Sequence, residues 1–91
     1  MDEPLSEELA GLQDLLLLQQ SLPSPAMCRA LRVSAGLSTT AVATPVGVTR
    51  QTVSKWERGV RKPRGEHLRK YVAVLSTLRD IQHVVIQRAA A

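Results

Sequence analysis

Four polar side chains stand close together in the middle of the chain, at Arg50, Gln51, Ser54 and Lys55. Their groups suit the hydrogen-bonding edges of nucleic acids, because arginine pairs with guanine, glutamine with adenine, and lysine with guanine or phosphate. At about 100° per residue, they occupy the outer side and the N-terminal end of one short helix. The spacing therefore favours a helix that offers base-reading side chains to the major groove of DNA.

Two short helices joined by a tight turn are needed to position these side chains. Ser38 is predicted to cap the first helix, over residues 39–46, and Thr49 to cap the second, over residues 50–58. Gly47 supplies the permissive backbone of the turn between them. The residues predicted to pack between the two helices are small or apolar: Val42, Ala43, Val48, Val53 and Trp56.

Groups for catalysis or metal binding do not form a pattern. His67 and His83 are 16 residues apart without a nearby cysteine or carboxylate cluster, which disfavours a metal site. The single cysteine, Cys28, excludes an internal disulfide and is expected to pack as a small apolar residue. No nucleophile–base pair is recognisable, so we expect neither an enzyme nor a bound cofactor.

The charge is divided unequally along the chain. Residues 1–22 contain five acidic and no basic residues, whereas residues 23–91 contain all 12 lysines and arginines against three acidic residues. The longer segment thus carries +9 within a net charge of +4, and such a body attracts polyanions. Since Trp56 and Tyr71 are the only aromatic residues, binding by rows of stacked bases is disfavoured.

No stretch of the sequence is expected to direct the chain to a membrane. The longest apolar run, residues 15–18, is far shorter than the roughly 20 residues that span a bilayer. The start of the chain lacks the basic region of a signal peptide. We therefore expect a soluble cytoplasmic protein that is associated with the nucleoid.

The acidic segment, residues 1–22, is predicted to contain a helix over about residues 7–20 that Ser6 caps. Its leucines form one stripe, Leu5, Leu9, Leu12 and Leu16, and cover other sides as well, at Leu15, Leu17 and Leu18. Exposure of so many leucines to water is unfavourable. We expect the helix to pack on the C-terminal helix of its own chain or of a dimer partner, and binding of an external protein partner is the alternative.

A further helix is predicted to start at Pro25, with Ser24 as its cap, and to end before Gly36. Its expected buried residues are Met27 or Cys28, Leu31 and Ala35, and its expected exposed residues are Arg29 and Arg32.

The last part of the chain consists of a basic loop, residues 60–65, and a predicted helix over residues 66–90, which contain neither glycine nor proline. The apolar face of this helix drifts by about a third of a turn. Either the helix breaks near Ser76 and Thr77, or its second half faces another partner. We expect a homodimer interface on the drifted face, formed by Val74, Leu78, Ile81, Val84 and Val85.

The segment GLSTTAVATPVGVTRQTVSKWERGVRKP, residues 36–63, closely resembles the helix-turn-helix domains of phage repressors and Cro-type proteins, and the resemblance extends over residues 26–75. It implies an all-α, repressor-like domain of about five helices, to which this sequence adds an N-terminal helix and an extended C-terminal helix. The chain then divides into the acidic segment 1–22, a DNA-binding domain over residues 23–75 and a C-terminal extension over residues 76–91.

The resemblance also implies roles for individual residues. The recognition helix is residues 50–58, and its base-reading residues are Arg50, Gln51 and Lys55, helped by Thr52 or Ser54. The implied phosphate-binding residues are Thr39, Thr49, Arg58, Arg61 and Lys62. Glu57 is implied to brace the turn. Pro45 departs from the family pattern and is expected to kink or shorten the last turn of the first helix.

These features favour a sequence-specific transcriptional regulator that binds double-stranded DNA as a homodimer and represses by occluding a promoter, since one short helix reads only a few base pairs. The alternative is an antitoxin or adaptor in which residues 1–22 bind a protein partner and DNA binding serves autoregulation. No effector domain is apparent, so the sequence indicates no place for small-molecule sensing.

Overall fold

Five α-helices form the part of the chain that the computed structural model describes, which is the backbone of residues 3–90 and the side chains of residues 7–84 and 87–89. The helices are α1 (Glu3–Ser21), α2 (Pro25–Ser34), α3 (Thr39–Val46), α4 (Arg50–Glu57) and α5 (Gly65–Ala90). The predicted all-α fold is therefore confirmed. Among these helices, none combines the length and the hydrophobicity that a membrane crossing requires.

Local capping groups fix where α2, α3 and α4 begin. Ser24, Ser38 and Thr49 each use the side-chain oxygen to accept a hydrogen bond from the backbone N–H three residues later, at distances of 3.2, 3.1 and 3.2 Å. Such a bond satisfies one of the N–H groups that has no partner within the helix. The starts predicted for these three helices are confirmed, and each predicted end is right to within one residue.

The turn between α3 and α4 depends on Gly47, whose φ of 85° lies in the left-handed region. The N–H groups of Gly47 and Val48 both donate to the Ala43 carbonyl, at 2.9 and 3.1 Å, and close the end of α3. Pro45 does not shorten α3, which continues to Val46. Its position next to the last residue of the helix limits the effect of its missing N–H.

One apolar core joins α2, α3, α4 and α5. Its members are Cys28, Leu31, Val42, Ala43, Val46, Val53, Trp56, Tyr71 and Leu75. The rings of Trp56 and Tyr71 lie 4.7 Å apart between centroids and are tilted by 44°. The predicted core role of Trp56 is confirmed, because only 5% of its surface is exposed. The predicted burial of Leu31 and of Cys28, the alternative to the exposed Met27, is confirmed on α2. The predicted burial of Ala35 is wrong, because this residue is the exposed C-cap of α2.

Helix α5 passes Ser76 and Thr77 without a break. Leu78 is buried in the chain's own core region and Val74 packs against the core, so neither lies on a free face as we expected for a dimer interface. They reach the core because a helix buries an arc of its surface that is broad enough to include them. Ile81 and Val84 are exposed. The side chain of Val85, the remaining residue of the expected interface, lies outside the described residues.

Helix α1 begins at Glu3, so Ser6 lies inside the helix and the prediction that it caps α1 is wrong. The helix packs against α5 of its own chain. Its half-buried leucines are Leu15 and Leu18, which lie about a quarter of a turn or more from the centre of the predicted stripe. The exposed ones are Leu9, Leu12, Leu16 and Leu17. The side chain of Leu5, also part of that stripe, lies outside the described residues.

Candidate nucleic-acid interface

The outer face of α4 carries the polar side chains that the sequence indicated. Val53 and Trp56 point into the core, and at about 100° per residue the opposite side of the helix belongs to Gln51 and Lys55. Their neighbours on this face are Ser54 and Arg58. Arg50 and Gln51 are exposed, whereas Thr52, Ser54 and Lys55 are half-buried. Helix α4 therefore presents a polar side to solvent while its apolar side is fixed against α3.

Hydroxyl groups at the start of α4 form a small network. The Thr49 hydroxyl accepts from the backbone N–H of Thr52 and lies 3.0 Å from the Thr52 hydroxyl. Thr52 is therefore engaged with the cap, which suits it to supporting the end of the helix. Thr39, the first residue of α3, lies at another helix N-terminus. Both threonines that we expected at phosphates are thus at ends where the helix dipole favours negative charge.

A basic loop follows α4 and lies beside it. The backbone N–H groups of Val60 and Arg61 donate to the Lys55 carbonyl at 3.0 and 3.4 Å, which folds the loop back onto α4. Arg61, Lys62 and Arg64 are exposed, and Pro63 between them is buried. The loop is held at its base while its cations extend into solvent.

The loop and α4 together line a groove of about 610 Å³. This groove brings Thr52 and Lys55 to the same surface as Arg61 and Lys62, which follow them by six to ten positions along the chain. Arg64 and His67 also line it. The sequence pattern did not indicate a DNA contact for either residue. For His67, its position in the first turn of α5, directly after the basic loop, could have indicated that it lies near this groove.

Arg58, which was also expected to bind phosphate, forms the C-cap of α4. Its Nε donates to the Ser54 carbonyl at 3.4 Å, and the residue is exposed. This places its guanidinium on the outer side of α4, within reach of an approaching polyanion.

A bidentate ion pair fixes the other side of α4. The Nε of Arg32 donates to Oε2 of Glu57 at 2.7 Å, and its Nη2 donates to Oε1 at 2.9 Å. The Nη1 of Arg32 also donates to the Leu37 carbonyl at 2.9 Å. The expectation that Arg32 faces solvent is wrong, because its side chain is 13% exposed and that of Glu57 is 6% exposed. Through Arg32, Glu57 therefore connects the end of α4 to α2 and to Leu37, which precedes α3.

Among the described residues, no three histidine, cysteine, aspartate or glutamate side chains come together as a metal site. His67 and His83 both lie on α5, where 16 residues correspond to about 24 Å along the axis.

Comparison with known proteins gives one match. A family model described as helix-turn-helix matches residues 29–79, which is more than half of the chain. The matched residues include most of α2, all of α3 and α4, and the first half of α5. No curated protein and no solved structure matches the chain.

Proposed function

The chain belongs to the Cro/C1-type helix-turn-helix family, and we propose that it is a transcriptional repressor that binds its DNA site as a homodimer. Helix α4 is the recognition helix in the major groove. Its base-reading residues are Arg50, Gln51 and Lys55, and Thr52 and Ser54 assist them. The phosphates on either side are held by Thr39, Thr49, Arg58, Arg61 and Lys62. Such a regulator acts on the nucleoid, in the cytoplasm.

The observation that carries this proposal is the single groove shared by α4 and the basic loop. Base contacts specify a site while phosphate contacts position the protein, so a DNA-reading surface needs both kinds of group side by side. Lys55 from the recognition helix and the loop residues Arg61 and Lys62 meet this requirement.

Substitution at the two kinds of position is expected to separate specificity from affinity. Gln51→Ala should lose about 1–3 kcal/mol of discrimination at the base pair that Gln51 reads, because it removes a bidentate contact. Arg61→Ala is the matched control and should weaken all sequences by similar factors. The measurement is a binding profile over every single base substitution in a site found by footprinting. An unchanged profile for Gln51→Ala would remove Gln51 from the base-reading residues.

The homodimer is proposed to form through the far half of α5 together with the exposed side of α1. Ile81 and Val84 are exposed apolar residues three positions apart on one helix face. Exposed apolar surface of this kind marks interaction sites. Twofold symmetry also lets two short recognition helices read two half-sites on DNA.

The double variant Ile81→Lys, Val84→Lys is expected to weaken self-association by at least about tenfold, because it places two charges in a desolvated interface. His83→Lys adds a charge on another side of the same helix and should leave association unchanged. Sedimentation equilibrium measures both variants. A double variant as dimeric as the parent chain would contradict this interface.

The second candidate function is that of an antitoxin or adaptor. It is favoured by the exposed leucines Leu9, Leu12, Leu16 and Leu17 on a segment rich in acidic residues. In this alternative, residues 1–22 bind a protein partner and DNA binding serves autoregulation. Purification of the intact protein from its native cell separates the two candidates, since only the second requires a stoichiometric partner.

A further inference from the structure

The groove between α4 and the basic loop contains a histidine that the proposed function does not use. His67 lies in the first turn of α5, is exposed, and lines this groove together with Thr52 and Lys55 of α4. Histidine is the side chain type whose ordinary titration falls between pH 5 and 8. The groove therefore holds a residue of the type that becomes a cation when the pH falls through the physiological range.

The charged residues that share the groove with His67 are all positive. Arg61, Lys62 and Arg64 reach it from the basic loop, and Lys55 reaches it from α4. None of the described residues that line the groove is acidic. The groove itself therefore offers a protonated imidazole no ionic partner, and its cations suit an anion that comes from outside the chain.

The charged neighbours of His67 along α5 do not supply that anion either. Glu66 precedes it directly, but the Glu66 carboxylate lies 3.5 Å from the Nε of Arg69 on an exposed face of the helix and does not line the groove. Lys70, about one turn further, is another exposed cation. Within the part of the chain that the structure describes, His67 thus faces cations from α4, from the loop and from its own helix.

We propose that His67 is a further phosphate-binding residue and that it contacts DNA in its protonated form, so that DNA binding strengthens as the pH falls from about 8 to 6. This inference rests on the proposed function, since the phosphates are those of the DNA that Arg61 and Lys62 hold. A phosphate beside an imidazole favours the charged form of the ring, which then donates from both nitrogens. Phosphate contacts carry no sequence information, so the effect should be similar for all DNA sequences.

The direction of the pH effect follows from linkage. If the complex holds more protons than the separate protein and DNA, DNA binding takes up protons from solvent and becomes stronger as the pH falls. Lysine and arginine keep their charge over this range, and ordinary carboxylates are ionised throughout it. His83, the other histidine, follows His67 by 16 residues on α5, about 24 Å along the axis, and does not line the groove.

Fluorescence anisotropy of the full-length chain with a labelled DNA duplex, at about pH 6 and pH 8 and at one ionic strength, tests this proposal. The parent chain is expected to bind about tenfold more tightly at the lower pH, which corresponds to one additional ion pair in each protomer of a dimer. His67→Gln should remove this difference. His83→Gln is the matched control, because it removes the other histidine of the same helix, and should retain the difference.

A second variant and a second readout distinguish a phosphate contact from a structural role. His67→Arg keeps a positive charge at every pH, so it should bind DNA at pH 8 about as tightly as the parent chain does at pH 6. For the parent chain, the slope of log K against log salt should be steeper by about 2 at the lower pH, because one more phosphate per protomer is neutralised. For His67→Gln, the slopes at the two pH values should be equal.

The outcomes separate this proposal from the proposed function. Equal affinities of the parent chain at the two pH values, or a difference that His67→Gln retains, would overturn the role of His67 and leave the proposed function intact. Binding of His67→Arg at pH 8 that is as weak as that of His67→Gln, or a salt slope that does not change with pH, would overturn it as well. Failure of the parent chain to bind any duplex at either pH would instead overturn the proposed function itself, and the His67 contact with it.

Discussion

Glu57→Ala is expected to destabilise the domain by about 3 kcal/mol, because it leaves the half-buried guanidinium of Arg32 without its carboxylate. The pair is bidentate, at 2.7 and 2.9 Å, and both side chains are largely removed from water. An uncompensated charge in such a place loses its hydration without regaining an ionic partner. Small domains have about 5–15 kcal/mol of total stability, so this one substitution removes a large share of it.

Urea denaturation followed by circular dichroism measures the loss. Glu66→Ala is the matched control, because Glu66 pairs with Arg69 at 3.5 Å on an exposed face of α5. That substitution should cost at most about 1 kcal/mol. The double variant Arg32→Met, Glu57→Met removes both charges and should recover much of the stability that the single variant loses. Similar losses of stability for Glu57→Ala and Glu66→Ala would show that the Arg32–Glu57 pair contributes no more to stability than an exposed ion pair does.

The affinity for DNA is expected to fall by about 10³-fold between 50 and 200 mM salt. Residues 23–91 carry +9, and the exposed loop cations Arg61 and Lys62 lie beside the recognition helix. Phosphates neutralised by these groups release condensed counterions, and six contacts per dimer correspond to a slope of about −5 for log K against log salt.

Fluorescence anisotropy with a labelled duplex at several salt concentrations provides the slope. Arg61→Ala removes one contact from each protomer and should reduce the slope by about 2. Arg88→Gln, at the far end of α5, is the charge-matched control and should leave the slope unchanged. A slope shallower than about −2 for the parent chain would contradict the electrostatic part of the proposed function.

Local chemistry made much of the helix-turn-helix predictable from sequence. Ser38 and Thr49 cap helices because their side-chain oxygens reach an N–H three residues away, and Gly47 ends α3 because it adopts a left-handed conformation. These effects act within a few residues. The outward face of α4 followed equally well from its helical period, since Val53 and Trp56 define the buried side.

The tertiary structure decided what depends on residues far apart in the chain. Arg32 and Glu57 are 25 residues apart, and nothing in the pattern around Arg32 distinguishes it from the exposed Arg29. Leu78 was expected on a free face, but the breadth of the buried arc of α5 includes it in the domain.

The packing face of α1 was also beyond the sequence, because leucines cover other sides of this helix besides the stripe that its period indicates, and the described leucines of that stripe are exposed. Contact with α5 decides that Leu15 is half-buried while Leu16 and Leu17 stay exposed. Capping and periodicity depend on neighbours along the chain, and the sequence by itself determined them. Ion pairing and burial across helices depend on the packing of the whole domain, and only the tertiary structure determined those.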